Sequence, residues 1–141
     1  MKIHLVMLGK TRIPEIRALL EDYIHRIERY AEVQITELRD AGAWRKQKLD
    51  SHAAIVALDA GGKQFTSQQF ANWLAIQRDS GLRELVILCG DAEGFPNELR
   101  AAAKTKISLS TLTMPHELAR VVLAEQIYRA FAILAGHPYP K

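Results

Sequence analysis

With 141 residues, 48% of them hydrophobic and 25% charged, the chain has the size and balance of one globular domain, and no apolar run approaches the roughly 20 residues that span a bilayer. A single cysteine, Cys89, excludes an internal disulfide and suits a reducing cytoplasm. The formal net charge of +3 permits an anionic partner such as nucleic acid without establishing one.

The opening run Ile3 to Leu8 reads as a buried strand, too short for the core of a signal peptide, and Gly9-Lys10-Thr11 turns it into a helix starting near Ile13-Pro14. That helix places Ile16, Leu19, Leu20, Tyr23, Ile24 and Ile27 on one side at a period near 3.6. Val33 to Leu38 alternates apolar and polar residues, as a half-exposed strand does. Arg39 to Ser51 is the least regular stretch. Its cluster of Arg45, Lys46 and Lys48 beside Trp44 fits two descriptions, a contact for the backbone and a base of RNA, or a solvated loop with one anchored aromatic.

Ala53 to Leu58 is the all-apolar strand of a parallel sheet, and Asp59-Ala60-Gly61-Gly62-Lys63 reads as the flexible turn that ends it. Thr66-Ser67-Gln68-Gln69 offers a capping box for a helix carrying Phe70, Trp73, Leu74 and Ile76, closed by Gly81. Glu84 to Leu88 is another buried strand, followed by a glycine-containing turn and a short helix to Lys104. Ile107 to Leu109 is the last strand. Ser110, Thr111 and Thr113 then form a bend, and Pro115 enters the first turn of the last helix with Thr113 or Met114 as its cap. Leu118 to Leu134 is apolar on nearly every side, which predicts burial on more than one face.

Five strands interleaved with helices predict an α/β fold with a parallel sheet covered on both faces. Its ligand site belongs at the carboxyl ends of the strands, where three loops meet: after Leu58, after Leu88, and Leu109 to Met114. Gly90 and Gly94 would let backbone approach a ligand there, but their spacing is not a dinucleotide fingerprint, and Gly61-Gly62-Lys63 is not a phosphate loop. The five histidines share no metal-like spacing, and no serine elbow is present. His116, beside Glu117 at a helix start, is either a capping residue or a catalytic one. Glu125 and Arg129, one turn apart in an apolar helix, are either an ion pair at the rim of the core or functional charges. Tyr139 and Lys141, interleaved with prolines in the tail, suit an RNA base and phosphate or a stiff terminus.

The stretch SLSTLTMPHELARVVLAEQIYRAFAILAGHPYPK, together with the start MKIHLVMLGK, the LDAGGK segment and the glycine-containing turn after Leu88, resembles the SPOUT-class large-subunit rRNA pseudouridine methyltransferases of the H family over the whole chain. The resemblance implies a single SPOUT domain with a deep trefoil knot near its carboxyl end, acting as a homodimer in the cytoplasm. The implied reaction carries methyl from S-adenosylmethionine to N3 of a pseudouridine in a hairpin of 23S rRNA, without a metal, on free rRNA or the assembled ribosome. Carried over by position, the cofactor contacts are Leu58, Gly90, Leu109, Ser110, Thr111, Leu112, Thr113 and Met114. His116, Glu125 and Arg129 fall at catalytic positions and Tyr139 near the target base. Lys141, Arg45, Lys46 and Lys48 are the further candidate RNA contacts. The chain departs from the family in Asp91, where a second glycine is usual, and in Pro140 before its last residue. These two residues motivate the alternative of an RNA-binding dimer of the same fold without turnover. A methyltransferase for another RNA is the third reading.

Overall fold

The computed structural model describes residues 1–139. Its elements run β1 (Lys2–Leu8), α1 (Pro14–Ile27), β2 (Val33–Leu38), α2 (Ala41–Arg45), β3 (Ala53–Gln64), α3 (Ser67–Asp79), β4 (Glu84–Cys89), α4 (Asn97–Ala102), β5 (Thr105–Ser108) and α5 (His116–Ala135). All strand pairs are parallel, in the order β2-β1-β4-β3-β5. The expected parallel α/β architecture is therefore present.

Alternation along the strands sorts side chains between two layers. Ile3, Leu5 and Met7 of β1 join Leu85, Ile87 and Cys89 of β4 on the face covered by α1, α5 and α3. Val6, Leu8, Val86 and Leu88 face the other way, onto Leu99 of α4 and Trp44 of α2. His4 and Glu84 share this second face, buried and hydrogen bonded to each other at 2.7 Å. Such burial stabilises by about 1.5–3 kcal/mol for each fully enclosed Leu, Ile or Phe, which explains why the central β4 carries an unbroken apolar run after Glu84.

α5 packs between α1 and α3, and its buried residues, among them Val121, Leu123, Ile127, Tyr128 and Phe131, point to several sides, as its all-round apolarity predicts. Gly136, at φ 69°, takes the left-handed conformation that ends the helix, and the His137 amide returns to Ala132. Among the described residues no helix is long and apolar enough to cross a membrane.

Three local expectations are corrected. Asp59 to Lys63 does not end β3: the strand runs on to Gln64, and Leu58 and Lys63 both pair with Ile107 across a register shift, so the glycines form a bulge inside a strand. Gly62 is required there, because a Cβ would lie 2.6 Å from the carbonyl carbon of Lys106. Neither Thr113 nor Met114 caps α5: Pro115 is the capping residue, extended at ψ 141°, and no side chain caps the helix. Within the irregular stretch 39–51, Asp40 accepts the Ala43 amide at 2.9 Å and starts the short helix α2. The capping box at Thr66 and Gln69 forms in full.

Candidate active site

The loops after β3, β4 and β5 and the first turn of α5 enclose a cavity of about 380 Å³ at the carboxyl edge of the sheet. This is within the size of small-molecule sites, roughly 300–1,000 Å³. Leu58, Gly90, Leu109, Ser110, Leu112, Thr113, Met114 and His116 line it, while Thr111 does not. The bend holds its own shape: Ser108 Oγ donates to the Ser110 carbonyl and Ser110 Oγ accepts from the Leu112 amide, each at 3.0 Å. Leu112, 77% exposed, presents an apolar side chain to solvent at the rim of the cavity.

The turn after β4 is built differently from its sequence reading. Gly90 is needed first by the turn itself, since a Cβ would meet the Gly94 carbonyl oxygen at 2.9 Å. Gly94 has φ +88°, and Asp91 and Gly94 exchange backbone hydrogen bonds. Asp91 itself is unstrained, because no described non-glycine residue has positive φ, and its carboxylate accepts the Glu93 amide at 2.9 Å.

Next to His116 lies a buried polar network that sequence reasoning missed. Glu117 Oε1 accepts from the amides of Ile13 and Arg12 at 3.0 and 2.9 Å, tying the start of α5 to the loop after β1. The Ile13 amide foremost, then the Arg12 amide and nearby positive charge, holds this carboxyl below its usual range against the opposing effect of burial. Arg120, fully buried, donates to Thr11 Oγ1 at 2.8 Å and to the Leu8 carbonyl. The available signal was a third charge in an apolar helix, the same signal that picked out Glu125 and Arg129. Burial pushes the Cys89 thiol up to about 12, with Arg120 opposing, so this cavity-lining sulfur is a neutral thiol.

Glu125 and Arg129 form the predicted ion pair, Nη2 to Oε2 at 2.8 Å, but they do not line the cavity. The pair also holds the tail. Tyr139 donates its hydroxyl to Glu125 Oε2 at 2.9 Å, sits edge-on to Tyr128 with ring centres 4.7 Å apart, and lies under the Arg129 guanidinium at 4.6 Å. The hydrogen bond to Glu125 raises the Arg129 pKa, and burial, then hydrogen bonds with Tyr23 and Glu125, raises that of Tyr139; both groups stay protonated. Thirteen residues separate His116 from Arg129, about 20 Å of helix. One subunit therefore does not bring the three catalytic candidates together.

Arg45 is engaged by Glu98 of α4, Nε to Oε1 and Nη2 to Oε2 both at 2.8 Å, and Trp44 packs in the second core layer. The anchored-aromatic description of this cluster fits, and Lys46 and Lys48 follow α2 with no such acid partner among the described residues. Lys141 lies outside the described residues. Among those residues, no three His, Cys, Asp or Glu side chains gather as metal ligands.

Residues 1–140 match the family described as Predicted SPOUT methyltransferase. The chain is 38% identical over 142 residues to a protein of Koribacter versatilis (strain Ellin345), 99% of this chain and 97% of that one, and 41% identical over 141 residues to one of Solibacter usitatus (strain Ellin6076), 99% of each. Both relatives are named "Ribosomal RNA large subunit methyltransferase H". In fold it is similar to the solved structure of a probable methylase family protein from Haemophilus influenzae Rd KW20, with a TM-score of 0.59 at 11% identity, covering 99% of this chain and 72% of that one. Matched over nearly its whole length and carrying its cavity at the loops that the strand order selects, the chain belongs to the SPOUT methyltransferase family.

Proposed function

We propose that this chain, as one domain, methylates N3 of a pseudouridine in large-subunit rRNA, with S-adenosylmethionine as the methyl donor. The observation that carries the reading is the cavity, lined by seven of the eight residues named for the cofactor from the resemblance. The lining also fits the group chemically: Leu58, Leu109 and Met114 supply apolar surface for an adenine, and the bend is rich in backbone and hydroxyl groups for its polar edge. When bound, the cofactor supplies a methyl activated by its sulfonium.

What the chain's own residues contribute is orientation, desolvation and management of one proton. N3 must lose its proton to become nucleophilic. Glu125 is a poor acceptor, because its two oxygens already take hydrogen bonds from Arg129, Tyr139 and Gln126. His116, half-buried and lining the cavity, is the better one. Arg129, held charged by Glu125, stabilises the anionic base.

Since Arg129 and Tyr139 stand away from their own cavity, the reading takes the functional unit to be a homodimer in which they complete the partner's site. Exposed Leu19 of α1 and Leu118 of α5, on helices that pack together, and Leu112 at the bend support such an interface. The trefoil knot that the resemblance implies is part of the same reading. Lys46 and Lys48 are its candidate phosphate contacts, with action on ribosomes in the cytoplasm. The alternative without turnover keeps Asp91 as a motive through its charge alone, since its backbone sits in an unstrained turn.

The test is transfer of labelled methyl to ribosomes that lack the modification. Label in large-subunit rRNA is the expected result; cofactor binding with no label in any ribosomal RNA contradicts the substrate.

A further inference from the structure

The cavity carries charges that an adenosine does not need. Arg100 of α4 is the one guanidinium or ammonium among the residues lining it, and the carboxylates of Asp59 and Asp91 line the same space. Arg100 lies over the turn after β4, its Nη2 at 3.8 Å from where a Cβ on Gly94 would be. No described residue engages its side chain by a hydrogen bond or ion pair, and Glu98 of the same helix pairs with Arg45. Asp91 starts the same turn and uses Oδ1 for the Glu93 amide. Asp59 stands apart on the β3 bulge, where its Oδ1 takes the Gly61 amide at 2.8 Å.

A cation and a carboxylate flanking one turn, neither paired with the other, complement a ligand end that carries both signs. We infer that Arg100 and Asp91 bracket the aminocarboxyl end of the methyl donor, the guanidinium pairing with its α-carboxylate and Asp91 with its α-ammonium. This rests on the cofactor reading above and adds which end of the ligand lies against the β4–α4 turn. The planar fork of arginine matches a carboxylate with two parallel hydrogen bonds, a geometry lysine does not supply. Asp91 alone would repel that carboxylate, and Arg100 offsets the repulsion. The apolar part of the cavity, at Leu58, Leu109 and Met114, is left for the adenosine.

The test is calorimetric titration of S-adenosylhomocysteine and of 5′-methylthioadenosine, which shares the adenosine and thioether but lacks the amino acid, into the parent, Arg100→Gln and Asp91→Asn. Asparagine keeps the acceptor that shapes the turn. Each variant is expected to weaken S-adenosylhomocysteine about fivefold, the size of an exposed charge pair, and to leave methylthioadenosine unchanged. The loss should shrink in high salt. Equal losses for both ligands, or no loss with S-adenosylhomocysteine, overturn the inference, and an Arg100→Gln variant that loses only RNA affinity assigns the guanidinium to the RNA instead. A parent that binds neither ligand overturns the cofactor reading itself, so the two failures are distinguishable.

Discussion

Tyr139 and Arg129 donate to the same oxygen, Glu125 Oε2, at 2.9 and 2.8 Å. The tail after α5 is thereby fixed to the helix that carries the cationic candidate. Glu125→Gln keeps the shape but removes the charge that holds both donors. Its expected effect is a fall in methyl transfer of tenfold or more, about 1.5–3 kcal/mol for a hydrogen bond to a charged group, with cofactor affinity unchanged. Transfer rates with saturating cofactor, beside calorimetric cofactor affinity, check it. Equal loss in both quantities contradicts the separation of this cluster from the cavity.

The separation of His116 from Arg129 along α5 predicts complementation between subunits. His116→Ala and Arg129→Ala are each expected to be nearly inactive. Subunits mixed at random should recover about a quarter of parental activity, because half the dimers are mixed and each holds one intact composite site. Measured activity after co-refolding the two variants checks this, and a mixture as inactive as its components contradicts the shared site.

Gly62 offers a test of the β3 bulge. A Cβ there meets main-chain atoms of Lys106 and Ile107 at 2.6–2.8 Å, and backbone cannot give way as a side chain can. Gly62→Ala is expected to destabilise by about 1–3 kcal/mol. Urea unfolding measures it, and a variant as stable as the parent contradicts the tight crossing.

Acid stability follows from Glu84. Burial raises its pKa, but the Asp50 amide, the hydrogen bond with His4 and the charge of Lys2 outweigh burial and leave it below the ordinary 4.5. A group depressed on folding contributes stability above its unfolded value, and loses that contribution as pH falls through the folded value. The parent should therefore lose stability below about pH 4.5, and Glu84→Gln should be less stable near neutrality but flatter in this acid range. Denaturant midpoints across pH 3–7 check the sign. An acid limb unchanged by the substitution contradicts it.

The sheet was legible because β1, β3 and β4 are apolar runs with no competing helical period, and Thr66 and Gln69 announce α3 by their side chains alone. The extension of β3 to Gln64 was not, since Asp-Ala-Gly-Gly is turn chemistry by local preference. What turns it into a bulged strand is β5, which pairs at Ile107 on both sides of the bulge. The same limit applies to the site. The cavity-lining bend could be chosen from strand order, whereas Arg120 meets Leu8 and Thr11 more than a hundred residues away, and Arg100 is brought over Gly94 by the short helix α4. Only the fold makes those neighbours.

The central claim is chemical, and the most direct measurement is mass spectrometry of nucleosides from large-subunit rRNA after incubation of unmodified ribosomes with the protein and labelled S-adenosylmethionine, with Arg129→Ala in parallel. Labelled N3-methylpseudouridine is expected with the parent and its loss in the variant. Label on any other nucleoside, or equal product from Arg129→Ala, contradicts it.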